Sequence, residues 1–168
     1  MSLDWKWLFI YPDYNIAVVN QLVFPAGVPL NFRITSDTVL TSFFIPQLGS
    51  QIYAMPGRQS RLYLLADETG TYAGHNQQFS GHGYADMHFK AIADTREQFE
   101  IWVHKTRQSS DTLDAARYDK LAKPSIGHPI VYFSAVKTGL FDDILRKYRN
   151  KSGLKSETVS PDFVAVHL

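Results

Sequence analysis

The sequence predicts a mainly-β fold: a β-sandwich followed by a small α-helical appendage. Short strand-like runs, punctuated by turns, succeed one another as far as residue 93. Aromatic residues make up 14% of the chain, a share that suits pleated surfaces better than helices. At Asp94 the apolar pattern changes from alternation to helical spacing.

Residues 4–11 (Asp-Trp-Lys-Trp-Leu-Phe-Ile-Tyr) form the first expected strand, closed by Pro12-Asp13. Period-two alternation puts Trp5, Trp7, Phe9 and Tyr11 on one face and Lys6, Leu8 and Ile10 on the other. Both faces are then largely apolar, as if the sheet abutted a second surface or another protein, and Trp5 and Trp7 are read as a subunit interface. Residues 15–24 read as one strand stopped by Pro25-Ala26-Gly27. The alternation of Leu30, Phe32 and Ile34 with Asn31, Arg33 and Thr35 makes 28–35 the clearest strand signal. Further strands are expected at 39–44, 52–54, 58–66, 70–75 and 87–93.

Beyond this, Asp94-Thr95-Arg96-Glu97 has the form of a helix start, followed by Phe99, Trp102 and Val103 at helical spacing. Residues 112–123 form a second helical stretch before Pro124, 129–136 a brief strand, and 140–148 a third helix with Leu140, Phe141, Ile144 and Leu145 on one face. The expected organisation is a sandwich over 4–93, a helical appendage over 94–150 and a polar tail over 151–168, with a terminal strand at 163–166 as an option.

Composition excludes several function classes. A net charge of +1 with scattered Lys and Arg gives no footprint for nucleic acid. The absence of Cys removes disulfides, thiolate metal sites and thiol nucleophiles. No apolar run reaches the roughly 18 residues needed to span a bilayer. An aromatic strand straight after Met1-Ser2-Leu3 leads to the expectation that a membrane anchor precedes this domain in the full protein.

Catalytic signals are weak. Ser80-Gly81-His82 lacks the strand–turn–helix context of a nucleophile elbow, and Asp142-Asp143 reads as a solvated helix face. The stretch that stands out is 74–87, Gly-His-Asn-Gln-Gln-Phe-Ser-Gly-His-Gly-Tyr-Ala-Asp-Met, a glycine-rich loop between two strands. His75, His82 and Met87 lie close enough in sequence to suggest a copper-binding carrier, and that reading stays open on the residues alone. Surface histidines are the commoner explanation.

Taken together, Asp4-Trp5-Lys6-Trp7, Thr41-Ser42-Phe43-Phe44-Ile45-Pro46-Gln47-Leu48-Gly49, Met55-Pro56-Gly57-Arg58 and the 74–87 loop are similar to subunit II of the haem–copper respiratory oxidases. The resemblance covers nearly all of residues 4–148. It implies a cupredoxin-like Greek-key sandwich on the outer side of a bacterial cytoplasmic membrane, anchored by N-terminal transmembrane helices. Members that oxidise cytochrome c hold a dinuclear copper centre in the loop. By the resemblance, its ligand positions fall on Thr41, Asn76, Gln78, Ser80, Tyr84 and Met87, and only Met87 keeps the family's ligand type. Asn and Ser cannot replace bridging thiolates. His75 and His82 match no ligand position.

That pattern of loss resembles the bo-type, ubiquinol-oxidising branch. It implies a non-catalytic subunit of a proton-pumping oxidase, without metal or cofactor of its own. Haems and copper would lie in the large membrane subunit, subunit I, with which this domain would assemble. Trp5 matches the electron-entry tryptophan of the cytochrome c enzymes; with no copper beneath it, its role reads as structural.

Overall fold

The computed structural model describes residues 1–152, so the expected strand at 163–166 and the polar tail beyond Ser152 lie outside the described residues. The chain runs β1 (Ser2–Leu3), β2 (Lys6–Tyr11), β3 (Ile16–Val19), β4 (Gln21–Pro25), β5 (Leu30–Ile34), β6 (Thr41–Phe43), β7 (Ile52–Ala54), β8 (Ser60–Leu64), β9 (Gly70–His75) and β10 (His88–Asp94). It continues through α1 (Arg96–Thr106), α2 (Ala115–Leu121), β11 (Val131–Phe133) and α3 (Leu140–Ser152). One antiparallel sheet has the order β1-β2-β3-β11, and a second has the order β4-β10-β9, with β4 and β10 parallel. Two antiparallel pairs, β5-β8 and β6-β7, complete the β part.

The single strand expected over 15–24 is two strands. Asn20 takes a left-handed conformation (φ 58°) and turns the chain from the first sheet into the second. Asn tolerates this region because its short amide can satisfy the local backbone. Here the Asn20 side chain accepts from the Trp7 amide at 2.8 Å and donates to the His128 carbonyl at 2.8 Å. Strand periodicity carries no sign of such a corner.

Trp7, Phe9 and Tyr11 face the first core, as alternation predicts, and join Phe32, Phe43 and Phe89. Trp7 meets Phe43 edge-on at 5.3 Å between ring centres, and Phe43 stacks on Phe89 at 5.2 Å. The Tyr11 hydroxyl accepts from the Val23 amide at 2.8 Å and donates to the Val23 carbonyl at 2.9 Å, pinning β2 to β4. Gly74 lies beneath Phe89, where a Cβ would come within 2.1 Å of the ring, so only glycine lets β9 pass.

Trp5 departs from the expected alternation. β2 begins at Lys6, and Trp5 precedes it with a left-handed backbone (φ 61°). Trp7, at 1% exposure, has no surface to offer a partner, which corrects its reading as an interface residue.

The opposite face of β2 and β3 is covered by the chain itself rather than by another protein, a second correction. Leu3, Leu8, Ala17 and Val19 pack against Leu113, Tyr118, Leu121, Phe133, Leu140, Phe141, Ile144 and Leu145 in a separate core. Each buried Leu, Ile, Val or Phe among them contributes about 1.5–3 kcal/mol relative to exposure. Lys6 is buried on this face, its ammonium held by the Asp4 and Lys123 carbonyls at 2.9 and 2.8 Å. The sequence changes character at Asp94, but α1 seats Phe99 and Val103 in the first core; the residues that cover β2 and β3 in the second core follow it.

Helix starts follow local chemistry. The Thr95 hydroxyl accepts from the Gln98 amide at 3.2 Å, and Asp114 accepts from the Arg117 amide at 2.7 Å. α2 is shorter than the expected 112–123 because Leu113 is held in a bridge beside Val136. Both later helices close on Asp37. Its carboxylate accepts from the Tyr118 hydroxyl at 2.7 Å and the Lys147 ammonium at 2.8 Å, and its carbonyl accepts from the Tyr148 hydroxyl.

Asp37→Ala leaves Tyr118 and Lys147 without their shared acceptor and is expected to cost about 3 kcal/mol in urea denaturation. Lys147→Met should cost less, because that ammonium is half exposed. Equal and negligible losses would show that Asp37 does not hold the helices.

Stability should also climb with pH and then fall. Burial pushes the Lys6 ammonium down to about 8, from 10.5. Between those values the unfolded chain binds more protons, so stability rises with pH. Burial raises the hydroxyls of Tyr11, Tyr118 and Tyr148 above 10.0, with Asp37 adding to the last two. Their contribution is complete below the unfolded value and is lost as pH rises through the folded ones. The denaturation midpoint should increase from about pH 8 to about pH 9.5 and decline beyond. A decline between about pH 8 and 9.5 would contradict these assignments.

Candidate functional site

The loop between β9 and β10 is closed by a short 3-10 turn at Tyr84–Asp86 and by backbone bonds from Tyr84 to Gly81, Asp86 to Gly83 and Met87 to Tyr84. Its organiser is Asn76. The Asn76 backbone amide donates to the Met87 carbonyl at 3.1 Å, joining the two ends of the loop. Its side-chain oxygen accepts from the Ser42 amide at 2.8 Å, the Ser42 hydroxyl at 3.3 Å and the Gln78 amide at 2.9 Å. Its side-chain nitrogen donates to the Gln78 carbonyl at 2.8 Å and the Ser80 hydroxyl at 3.1 Å. Asn76 is 5% exposed; its side chain holds β6 to Gln78 and Ser80, and its backbone ties in the Met87 end of the loop.

The structure thus gathers Asn76, Gln78 and Ser80, with Met87 at the loop's end and sealed in the first core at 0% exposure. Thr41 is not in this network; it is buried and donates to the Ser2 hydroxyl at 2.8 Å. Tyr84 lies toward solvent at 36% exposure, its ring edge-on to Phe79 at 5.1 Å, and Phe79 is itself 69% exposed. Ser42 was not legible as a site residue: it meets Asn76 only because β6 folds back over the loop. It also accepts from the Gln77 amide at 2.8 Å.

Trp5 roofs the loop from the other side. Its indole nitrogen donates to the Ser80 carbonyl at 3.1 Å. A Cβ at Gly81 or Gly83 would stand 3.2 or 2.5 Å from its ring, so both glycines let the loop backbone lie against the indole. Ile126, from the turn after α2, reaches the same spot and is 48% exposed. Trp5, Phe79, Tyr84 and Ile126 form an aromatic and aliphatic rim beside the loop.

The histidines are arranged differently from the copper-carrier reading. His75 pairs across the ribbon with His88, not with His82, and their ring centres are 6.2 Å apart. His88 follows Met87 directly; it is exposed where Met87 is buried, so Met87 points away from the face that His75 and His88 share. His82 is exposed on the loop. Partial burial, with the neighbouring His88 adding to it, lowers the His75 pKa. Among the described residues, no three His, Cys, Asp or Glu side chains converge as a metal site. The donor set at the loop does not fit a dinuclear copper centre: it offers an amide and a hydroxyl and no thiolate, and hydrogen bonds occupy that amide.

Two family models match. Residues 13–93 match the periplasmic domain of cytochrome c oxidase subunit II, and residues 107–152 match the COX aromatic rich motif. The chain is 51% identical over 150 residues to ubiquinol oxidase subunit 2 of Acetobacter aceti, covering 89% of this chain and 48% of that protein. It is 49% identical over 155 residues to cytochrome bo(3) ubiquinol oxidase subunit 2 of Pseudomonas aeruginosa, covering 92% and 47%. The chain thus spans about half the length of the curated relatives it matches. In fold it is similar to the periplasmic domain of cytochrome oxidase subunit II of Bradyrhizobium japonicum, with a TM-score of 0.57, 23% identity, and 59% of this chain and 83% of that one covered.

Asn76→Ala removes the side-chain partner of Ser42, Gln78 and Ser80 in one step. It should lower stability by about 2–3 kcal/mol, as buried groups lose their partners. Hydrogen exchange should accelerate at Ser42 and Gln78, while β5 and β8 keep their protection. Unchanged exchange at those two amides would remove Asn76 from its place as organiser.

Proposed function

The chain belongs to the family of subunit II of the haem–copper respiratory oxidases, in its bo-type quinol oxidase branch, and we propose that it acts as a non-catalytic periplasmic domain of such a subunit, without the dinuclear copper centre. The reading rests above all on Asn76. Where a copper-bearing loop needs thiolates, this loop is held by an amide whose hydrogen bonds take up the positions around Asn76, Gln78 and Ser80. A loop closed in this way needs no metal to keep its shape.

In this reading the complex oxidises ubiquinol, reduces oxygen to water and pumps protons, with haems and copper in its large membrane subunit. Electrons reach those centres from quinol without passing through this domain. The domain caps the large subunit on the periplasmic side of the bacterial cytoplasmic membrane and stabilises the assembly. The rim of Trp5, Phe79, Tyr84 and Ile126 is the surface best suited to that contact, since it is aromatic, exposed and built on a rigid loop.

The test uses the full-length subunit within the complex. With Phe79→Asp and Tyr84→Asp together, co-purification of the large subunit should fall severalfold, while quinol-driven oxygen consumption per haem in the surviving complex stays within about twofold of the parent. Normal assembly would move the contact elsewhere. Intact assembly with collapsed turnover per haem would instead give this domain a part in electron transfer.

A further inference from the structure

The pairing of His75 with His88 lies outside the residues that hold the loop together. They are direct cross-strand partners in the antiparallel β9–β10 ribbon, so both side chains rise from the same outer face. We propose that His75 and His88 form a surface site for one divalent transition-metal ion of the imidazole-preferring class: copper(II), nickel(II) or zinc(II).

The spacing carries the inference. An imidazole nitrogen sits about 2.0 Å from a bound zinc, which places the ring centre about 3.2 Å from the ion. Two imidazoles on one ion therefore have ring centres between about 4.5 Å, for adjacent ligands at a right angle, and about 6.4 Å, for opposed ligands, with about 5.2 Å at the tetrahedral angle. The observed 6.2 Å falls inside that interval. Turning a ring about its Cβ–Cγ bond leaves its centre in place, so side-chain rotation can aim the nitrogens while the strands hold the separation. The ribbon fixes the pair at both sides: β10 pairs with β4 and β9, and the Phe44–His75 bridge ties β9 to the end of β6.

The surroundings suit a neutral nitrogen donor. The Phe44 ring lies edge-on to His75 at 5.6 Å and covers one side of it. His75 Nε2 lies 3.1 Å from the terminal amide nitrogen of the exposed Gln77. Turned over, the same amide offers its oxygen as a third donor. Lys90, two residues beyond His88 on the same face, opposes a cation, and Ala73 stands across from it. No third His, Cys, Asp or Glu joins the pair among the described residues, so an ion there keeps water in its other positions and exchanges readily. This is a mononuclear site on the outside of the ribbon. It shares no side chain with the Asn76 network and requires no thiolate.

Calorimetric titration of the whole chain with zinc and with nickel, in a buffer that does not chelate, tests the assignment. The expected result is one saturable equivalent. His75→Ala and His88→Ala should each weaken it at least about tenfold, because loss of a direct ligand costs no less than loss of a supporting partner. His82→Ala and His167→Ala should bind as the parent does, and Gln77→Glu should tighten binding. Thermal melts establish that each variant folds. Without any substitution, substoichiometric copper(II) should broaden the imidazole proton resonances of His75 and His88 ahead of those of the other histidines. Absence of a one-to-one phase, or loss of binding in His82→Ala with retention in His88→Ala, would overturn the site.

Discussion

β2 and β3 are apolar on both faces, and most of the architecture follows from the need to cover them. Trp7, Phe9 and Tyr11 supply one core; Leu8, Ala17 and Val19 supply the other. A sheet of this composition cannot face water on either side without losing about 25 cal/mol for each square ångström of apolar area left exposed. The sandwich covers the inner face. The outer face is covered by α2, β11 and α3, and β11 also extends the sheet by pairing with β3. Asp37 and Lys6 then fix the cover with hydrogen bonds whose partners lie far away in sequence. The helical segment is thus the second wall of a two-core domain.

The β9–β10 loop solves a related problem on a smaller scale. A glycine-rich connection has much backbone entropy to lose and few apolar side chains to bury. In this chain Asn76 provides the closure: its side-chain amide both donates and accepts to link β6 to Gln78 and Ser80, and its backbone amide reaches Met87 at the loop's far end. Trp5 adds a flat surface against which Gly81 and Gly83 lie. The indole reaches that place through a left-handed backbone at φ 61°, an uncommon conformation for a bulky residue that the surrounding contacts hold in place.

Much of the fold was legible in the sequence. The alternation through Leu30, Phe32 and Ile34, the turn residues between strands, and the Thr95 cap each express a local rule, and the structure follows them. The misreadings arise where a local pattern had to be judged by something distant. The corner at Asn20 interrupts an unbroken Val- and Ile-rich run, and hydrogen bonds to Trp7 and His128 are what make it a corner. Trp5 continues the alternation of β2 on paper but leaves the strand to meet Ser80, which is 75 residues away. The candidate site was legible in part: Asn76, Gln78 and Ser80 are gathered as their places in the loop suggested, whereas Thr41 turns to Ser2 and Ser42 takes part in its stead.

By itself the sequence determined the β character, the absence of thiolate chemistry, and the location of the informative loop, because periodicity, cysteine content and glycine content are properties of short stretches of chain. Only the tertiary structure decided that the second face of β2 is covered from within, that an amide closes the loop, and that His75 stands beside His88. Those outcomes depend on which surfaces meet, and residues tens of positions apart meet only when the whole chain has buried its apolar faces.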